Sequence, residues 1–265
     1  MARPSPATGM LPQERQHGIV QRLRSRGRVV AAALAVEFAV SEDAIRRDLR
    51  ELAAQGLCRR VYGGALPPAA TVAPLRQRRS EQLARKQALA RKAVGLVREG
   101  QVLLIDAGST NAAIASALPE RMDLTVVTNA PDIALALYER EGFTILLLGG
   151  RVDVRIGGAV GAQTLEEVRR IRADLCFPGA CAIDAASGLW GIDSEESLLK
   201  RAMVAASSET VVVATSDKLG VTASHRIAAL ADVQHLVLEQ AVGARQRAAF
   251  SRQGVRVHRA APVAE

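Results

Sequence analysis

Beyond Gly100 the chain alternates short apolar runs with helix-forming segments, and this alternation restricts the possible folds more than any other feature. Near-continuous apolar strands separated by helices are typical of a parallel sheet that is covered on both faces. We therefore predict an α/β domain with a mainly parallel sheet. Its strands are expected at residues 102–105, 124–127, 144–148, 174–177, 210–214 and 236–238, and its helices at 111–117, 131–138, 164–171 and 195–206.

Composition excludes several classes of protein. Of the 265 residues 49% are hydrophobic, which is enough for a packed core and excludes wholesale disorder. The chain has no run of about 18 apolar residues, the length that a membrane-spanning helix needs. Residues 1–9 lack the apolar region of a secretory signal. The three cysteines form no CxxC pair and the four histidines are scattered, which argues against a disulfide framework or a metal site. We expect a cytoplasmic protein without a cofactor or metal.

The net charge of +8 is unevenly distributed along the chain. Residues 1–91 contain 17 Lys and Arg against seven Asp and Glu, and 16 of these 17 cations are arginines. The rest of the chain contains 18 cations against 20 anions. The guanidinium group suits bidentate contacts with phosphates and guanine edges better than an ammonium group does. The distribution predicts a basic nucleic-acid-binding module joined to a near-neutral module.

The basic module has the pattern of a helix-turn-helix followed by a hairpin. Apolar residues at helical spacing predict helices at residues 14–27 and 31–38, with a turn at Ala39-Val40. Ser41 is a favourable N-cap for a third helix. A strand is expected at residues 57–61, a hairpin turn at 63–64 and a return strand at 65–66.

The third helix separates its apolar and polar residues onto opposite faces. At about 100° per residue, Ile45, Leu49 and Leu52 form one stripe, which we expect to be buried. The polar residues of the opposite face are Asp43, Arg46, Arg47 and Arg50. A recognition helix needs apolar anchors on one side, and arginines on the other to reach phosphates and base edges in the major groove. The pattern therefore predicts that this face binds DNA.

The segment from Val40 to Leu52, centred on Ile45-Arg46-Arg47-Asp48-Leu49, and the later Arg60-Val61-Tyr62-Gly63-Gly64-Ala65 resemble the signature of DeoR-type bacterial transcriptional regulators. The resemblance extends from about Glu14 to about Leu238. It implies an N-terminal winged helix-turn-helix and a C-terminal sensor domain that binds a small phosphorylated metabolite, often a sugar phosphate.

For the DNA-binding module, the resemblance implies contacts from the third helix and from the wing. The implied residues are Ser41, Asp43, Ala44, Arg46, Arg47, Arg50, Arg60, Tyr62 and Gly63. The sequence departs from the family pattern at three points. Ala39 stands where Gly is usual, Tyr62 stands where His is frequent, and the second helix starts at Val29-Val30-Ala31 without a Ser or Thr cap.

Polar turns follow the first three predicted strands of the α/β domain. Their residues are Asp106 to Asn111, then Thr128 and Asn129, then Gly149 and Gly150. Small residues at a helix N-terminus allow backbone N–H groups to approach an anion. Because ligands bind at the carboxyl ends of strands in an open parallel sheet, we expect the three turns to converge on one crevice.

The resemblance to DeoR-type regulators continues through these turns. It implies that Gly108, Ser109, Thr110 and Asn111 hold a phosphate, and that the sugar part is surrounded by Asp184, Asp193, Glu196, Lys200 and Lys218. Sensor domains of this type also resemble phosphosugar isomerases in fold. The sequence departs from the family pattern at two positions that bear on which ligand is bound. Asp217 stands where a small hydroxyl residue is expected, and Thr215 replaces an acid.

Two other functions are open on the sequence alone. The first is a sugar-phosphate isomerase-like enzyme, because Asp106, Asp184, Glu196 and Lys200 could supply a base and groups that stabilise an enediolate. The second is an adaptor whose basic region binds acidic protein partners. Cys181 in the pocket segment is either a small apolar filler or a redox sensor.

We predict four segments: a winged helix-turn-helix domain at 1–66, a linker and connecting helix at 67–90, an α/β effector-sensing domain at 91–243 and a C-terminal segment at 244–265. The predicted function is a transcriptional regulator, a repressor and not an enzyme, that binds double-stranded operator DNA as a homodimer or homotetramer. A phosphorylated metabolite bound in the crevice controls DNA binding. The coupling is expected to run through the linker at 67–79 and a charged helical stretch at 76–98.

Overall fold

The computed structural model describes residues 10–26, 28–66 and 73–262, and the chain divides into two compact units, residues 1–70 and 71–265. Part of the predicted linker, residues 67–72, lies outside the described residues. None of the helices in the described ranges is long and apolar enough to cross a lipid bilayer.

The N-terminal unit is a helix-turn-helix followed by a hairpin. Its elements are α1 (Pro12–Arg26), β1 (Val29–Val30), α2 (Ala31–Glu37), α3 (Glu42–Ala54), β2 (Arg59–Val61) and β3 (Gly64–Leu66). The three strands form an antiparallel sheet in the order β1-β3-β2, with the β2–β3 hairpin as the wing. The predicted winged helix-turn-helix is therefore confirmed.

The apolar stripe of α3 is buried, as predicted. Ile45, Leu49 and Leu52 are each at most 2% exposed and pack with Ile19 of α1 and Leu34 of α2. Burial of a side chain of this size contributes about 1.5–3 kcal/mol. This contact fixes which face of α3 is turned to solvent.

The same helix also buries a charge that the sequence pattern did not single out. Asp48 is 3% exposed and accepts hydrogen bonds from Arg15 Nε at 2.5 Å and Arg15 Nη2 at 3.2 Å. Arg15 lies on α1 and is itself 8% exposed. The pair therefore joins α1 to α3 at a place where water hydrates neither charge well.

Two departures from the family pattern have visible structural consequences. No side chain caps the start of α2 at Val30, but Val30 pairs with Gly64 of β3 and the Ala31 N–H donates to the Gly63 carbonyl at 2.8 Å. The wing thus replaces the missing cap. Ala39 adopts a φ of 53°, a left-handed conformation that costs a residue with a Cβ roughly 1–2 kcal/mol.

The predicted wing boundaries need two corrections. The first strand begins at Arg59 and not at residue 57, and the hairpin turn is formed by Tyr62 and Gly63, not by Gly63 and Gly64. Gly64 belongs to β3, where a Cβ would lie 2.0 Å from the Val29 carbonyl oxygen. Gly63 therefore forms part of the turn, and Gly64 allows β3 to approach β1 closely.

The C-terminal unit contains twelve strands and seven α-helices within its described residues. The strands are β4 (Val102–Ile105), β5 (Arg121–Thr128), β6 (Glu141–Leu147), β7 (Arg151–Asp153), β8 (Gly158–Val160), β9 (Ala173–Phe177), β10 (Ala182–Asp184), β11 (Gly188–Gly191), β12 (Ser207–Ala214), β13 (His225–Ala228), β14 (His235–Leu238) and β15 (Arg256–Arg259). The helices are α4 (Leu75–Ser80), α5 (Leu83–Val94), α6 (Ser109–Ala117), α7 (Pro131–Leu137), α8 (Ala162–Arg169), α9 (Ser194–Ala205) and α10 (Ala244–Ser251).

Seven of these strands form one sheet in the order β15-β14-β12-β9-β4-β5-β6, and every neighbouring pair in it is parallel. It contains all six predicted strands, which confirms the predicted α/β fold with a mainly parallel sheet. The pattern did not predict β15, which pairs with β14 and so joins the C-terminal segment to the sheet.

The charged stretch predicted as one helix at 76–98 is two helices. Gln82 lies between α4 and α5 with a φ of 55°, so the helix cannot continue through it. Two smaller features were also missed, the β7–β8 hairpin and the antiparallel sheet β10-β11-β13. Their strands are too short to show a periodic apolar pattern.

Replacing Asp48 with Ala should destabilise the N-terminal unit by about 3–5 kcal/mol, because Arg15 would remain buried without its partner. Urea unfolding followed by circular dichroism measures the loss. Asp43→Ala is the matched control, since Asp43 is an exposed acid on the same helix. Equal unfolding midpoints for the two variants would contradict a structural role for the Arg15–Asp48 pair.

Candidate DNA-binding face and ligand pocket

Helix α3 turns its predicted polar face to solvent. The exposed residues are Asp43, Arg46, Arg47 and Arg50. Arg46 is engaged on the helix itself, because its Nη2 donates to Glu42 Oε1 at 2.7 Å. Within the described part of the chain, Arg47 and Arg50 have no hydrogen-bond or ion-pair partner. Their guanidinium groups are therefore available to an external anion or a base edge.

Two further residues predicted to contact DNA, Ser41 and Ala44, lie at the start of α3. Ser41 is the N-cap of α3, and its hydroxyl oxygen accepts a hydrogen bond from the Ala44 N–H at 3.2 Å. Ala44 is half-buried. A side-chain cap satisfies one of the N–H groups that a helix start leaves unpaired. Ser41 thus fixes the position from which the arginines project.

The wing presents three predicted residues at its exposed edge. Arg60 lies on β2, and Tyr62 and Gly63 form the two-residue turn. All three are exposed, Tyr62 fully so. Gly63 has a φ of 77°, a conformation that glycine adopts without strain.

The C-terminal unit contains a cavity of about 210 Å³ at the carboxyl ends of three central strands, β4, β9 and β12. Its wall includes the segments that follow these strands and the start of α9. Eight of the residues predicted to bind an effector line it: Gly108, Ser109, Thr110, Asn111, Asp193, Glu196, Lys200 and Lys218.

The turn after β4 is shaped to present backbone N–H groups to the cavity. Gly108 has a φ of 151° and precedes the first residue of α6. Asn111 fixes the turn, because its Nδ2 donates to the carbonyls of Asp106 at 2.8 Å and Phe177 at 2.7 Å. The positive end of a nine-residue helix therefore faces the cavity, an arrangement that favours a bound anion.

Lys200 is a buried cation at the base of the cavity. It is 2% exposed, contacts the Glu196 carboxylate, and lies 3.5 Å from Asp106 Oδ2. Burial alone would lower the pKa of Lys200, but the carboxylates of Glu196 and Asp106 outweigh it and raise that pKa above its ordinary value. Lys200 is therefore positively charged at neutral pH.

The acids around the cavity are engaged with the protein. Asp106 accepts a hydrogen bond from the Gly179 N–H at 2.8 Å. Asp193 caps α9 by accepting from the N–H groups of Glu195 at 3.0 Å and Glu196 at 2.9 Å. Glu196 is held by Lys200, and Asp106 Oδ1 is buried without a hydrogen-bond partner among the described residues.

Six predicted residues do not line the cavity: Asp106, Thr128, Asn129, Gly149, Gly150 and Asp184. Of the three turns expected to converge on one crevice, the turn after β4 is the one that lines the cavity. In the sheet order β5 and β6 lie on the other side of β4 from β9 and β12, so the turns after them are displaced from the cavity.

Four of these residues bond to the surrounding chain. Asn129 accepts from the Ala107 N–H at 3.0 Å and so holds the turn after β4 from behind. Thr128 Oγ1 donates to the Ile105 carbonyl at 2.6 Å. Gly149 bonds through its backbone to Glu167 and Thr164, and Asp184 accepts from the Ser187 hydroxyl at 2.8 Å in a local turn.

Two arginines of the cavity wall were missed, Arg78 on α4 and Arg155 in the turn between β7 and β8. Arg155 forms an ion pair with Asp153 at 2.7 Å. Both arginines come from segments without a periodic apolar pattern, so the sequence carried no signal for their position. Cys181 also lines the cavity and is the one described cysteine that is not buried.

The sequence matches two protein families. Residues 15–70 match the family described as "DeoR-like helix-turn-helix domain", and residues 81–240 match the "DeoR C terminal sensor domain". The second match alone covers more than half of the chain.

Similar proteins include named regulators. The glycerol-3-phosphate regulon repressor of Escherichia coli (strain K12) is 36% identical over 212 residues, which cover 80% of this chain and 84% of that protein. The HTH-type transcriptional regulator GlpR of Haloferax volcanii is 34% identical over 251 residues, covering 94% and 98% of the two chains. Among solved structures, ribose 5-phosphate isomerase A of Methanocaldococcus jannaschii aligns at a TM-score of 0.37 and 18% identity over 51% of this chain and 53% of that chain.

Proposed function

The chain belongs to the DeoR family of transcriptional regulators, and on that premise we propose that it represses genes by binding their operator DNA until a small phosphorylated metabolite occupies the sensor pocket. The relatives are named as repressors and regulators, which confirms the predicted regulator over the isomerase-like enzyme. We place its action in the cytoplasm, where operator DNA and phosphorylated metabolites meet.

The proposal that the chain binds DNA rests on two exposed arginines of α3 that have no partner within the described residues. Arg47 and Arg50 project from a helix whose opposite stripe is anchored in the core. A helix held in this way can enter the major groove with its side chains ready for phosphates and guanine edges. The proposed contacts are Asp43, Arg46, Arg47 and Arg50 of α3, with Arg60, Tyr62 and Gly63 of the wing.

The proposed effector site is the cavity over β4, β9 and β12. A phosphate would be held by the turn from Gly108 to Asn111, where the N-terminus of α6 offers N–H groups and positive potential. The rest of the effector would contact Glu196 and Lys200. A cavity of about 210 Å³ suits a small metabolite. Glycerol 3-phosphate is the first compound to test, because it appears in the name of a relative.

We also propose that the chain is a homo-oligomer formed through the edge strand β6. Strand β6 ends the seven-stranded sheet, and its Leu146 and Leu147 are 49% and 52% exposed. Protected edges usually carry lysine or proline, and β6 has neither. Antiparallel pairing of β6 with β6 of a second copy would satisfy this edge and give the two-fold symmetry that paired half-sites require.

Other exposed apolar side chains lie on the elements that precede and follow β6 along the chain. They are Leu135 of α7, Tyr138 directly after α7, and Val152 and Val154 at the β7–β8 hairpin. A stable interface buries about 800 Å² on each partner, and contiguous apolar patches of a few hundred Å² mark such interfaces. A second copy of this chain is the occupant that we propose for this surface.

Arg47→Ala should weaken binding to the operator while leaving the fold intact. Loss of a bidentate base contact costs about 1–3 kcal/mol, and so roughly 5- to 150-fold in affinity. Fluorescence anisotropy with DNA from the promoter region beside the coding sequence measures the effect, with unrelated DNA as competitor. Arg170→Ala removes an exposed arginine from the other unit and should bind like the unaltered chain. Unchanged specific binding by Arg47→Ala would mean that α3 presents a different face to DNA.

Ser109→Glu should abolish the effector response and preserve DNA binding, because a carboxylate would occupy the place of the phosphate. The measurement is operator binding titrated with glycerol 3-phosphate and a panel of sugar phosphates. Ser116→Glu adds the same charge on the exposed side of α6 and should respond normally. A normal response from Ser109→Glu would contradict the proposed phosphate site.

Leu147→Glu should dissociate the oligomer, because antiparallel pairing would bury its charge in an apolar interface. Sedimentation equilibrium of the full chain gives the mass of each species. Val36→Glu changes another exposed apolar residue in the N-terminal unit and should leave the mass unchanged. An oligomer that survives Leu147→Glu would exclude β6 as the interface.

A further inference from the structure

Two cations of the sensor pocket lack an acidic partner within the described residues. The ammonium group of Lys218, which follows β12, has no hydrogen bond or ion pair there. The guanidinium of Arg78 on α4 has no carboxylate partner either, and its one hydrogen bond goes to a backbone carbonyl. The cavity acids cannot compensate them, since Asp193 caps α9 and Glu196 is held by Lys200.

The positive charges of Arg78 and Lys218 also repel each other. Burial, with the positive charges of Arg78 and Lys200, lowers the pKa of Lys218 to about 8, although Cys181 and Asp217 act in the opposite direction. An anion placed between Arg78 and Lys218 would relieve this repulsion. The pocket thus carries uncompensated positive charge on two different elements.

Arg78 differs from Lys218 in where the rest of its side chain is bound. Its Nε donates to the carbonyl of Ala73 at 2.8 Å. Ala73 is the first described residue after 67–72, the segment that leads along the chain from the DNA-binding unit. One guanidinium group therefore lines the effector cavity and also holds the backbone at the end of the connecting segment.

Helix α4 is held by polar contacts more than by apolar burial. Leu75 is its one buried residue, and the Leu75 N–H donates to the Arg155 carbonyl at 3.0 Å. Lys86 of α5 donates to the carbonyls of Arg78 and, at 2.7 Å, of Glu81. Gln82, with its left-handed φ, separates α4 from α5. Elements with little apolar burial are those that shift most readily, so a new charge contact can move α4.

We propose that Arg78 is the residue through which a bound effector acts on the connecting segment. The phosphate of the effector, held at the turn from Gly108 to Asn111, also binds Arg78 and Lys218, and the contact with Arg78 changes how its guanidinium holds Ala73. Lys218 contributes to affinity alone, because its contacts lie within the sensor unit. This inference rests on the proposed function, since it assumes an effector that changes DNA binding.

The energetics follow from linkage. An effector changes DNA binding only by the difference between its affinities for the two arrangements of the chain. Removing a contact that is the same in both arrangements weakens effector binding and leaves the maximal response unchanged. Removing the contact that differs reduces the maximal response, even when the effector is saturating.

The test compares Arg78→Met with Lys218→Met in the full-length chain. Each substitution removes one charge from the same cavity and keeps an unbranched side chain. Operator affinity is measured without effector and at saturation with whichever of glycerol 3-phosphate, ribose 5-phosphate, glucose 6-phosphate and fructose 6-phosphate changes it most in the unaltered chain. Calorimetry with that compound establishes saturation for each variant.

We expect Lys218→Met to need about tenfold more effector and then to respond fully, as for the loss of one charge-assisted hydrogen bond. Arg78→Met should bind the effector more weakly and change operator affinity less than twofold at saturation. A full response from Arg78→Met, or an equal loss of response in Lys218→Met, would overturn the inference.

Arg78→Lys is the second variant. If Arg78→Met binds no effector, Arg78→Lys tests whether Arg78 transmits effector binding to the connecting segment. Lysine keeps the charge that attracts the anion but has no second nitrogen with which to hold Ala73. Bound effector with a reduced response is the expected result, and a full response would overturn the inference. If no compound changes operator binding by the unaltered chain, the proposed function fails instead.

Discussion

A buried ionic cluster holds the sensor pocket together. Lys200 on α9 lies against Glu196 and 3.5 Å from Asp106, which in turn accepts from the Gly179 N–H. The cluster thereby joins the segments that follow β4 and β9 to the start of α9. Charges buried without partners cost several kcal/mol each, so the three side chains are stable there only as a set. The cavity walls that the proposed effector would meet are fixed by this pairing.

The two units use charge in opposite ways. In the N-terminal unit a buried pair, Arg15 with Asp48, stabilises the helix packing, and unpaired arginines are displayed on the surface where DNA would bind. In the sensor unit the unpaired cations, Arg78 and Lys218, face inward onto a cavity. Both arrangements leave positive charge uncompensated by the protein, and both therefore favour an external anion. A phosphate group is common to the two proposed ligands, in DNA and in the effector.

The sequence predicted the elements well and the pocket in part. Apolar strands and the stripe through Ile45 follow directly from the energetics of burial, so periodicity located them. The turns after β5 and β6 were expected at the pocket but do not line it, because strand order in the chain does not give strand order in the sheet. Arg78 and Asp48 were missed for a related reason. Their roles depend on partners far along the chain or on a short helix without apolar periodicity, and no local pattern reports such contacts.

Under the proposed function, operator DNA and effector each weaken the binding of the other. Linkage requires the coupling to be reciprocal, so one set of calorimetric titrations tests the claim directly. Effector affinity is measured with the chain free and with the chain saturated by operator DNA, and operator affinity with and without effector. We expect both affinities to fall by the same factor, in the range of about 5- to 150-fold. Equal effector affinity for the free and the DNA-bound chain would contradict it.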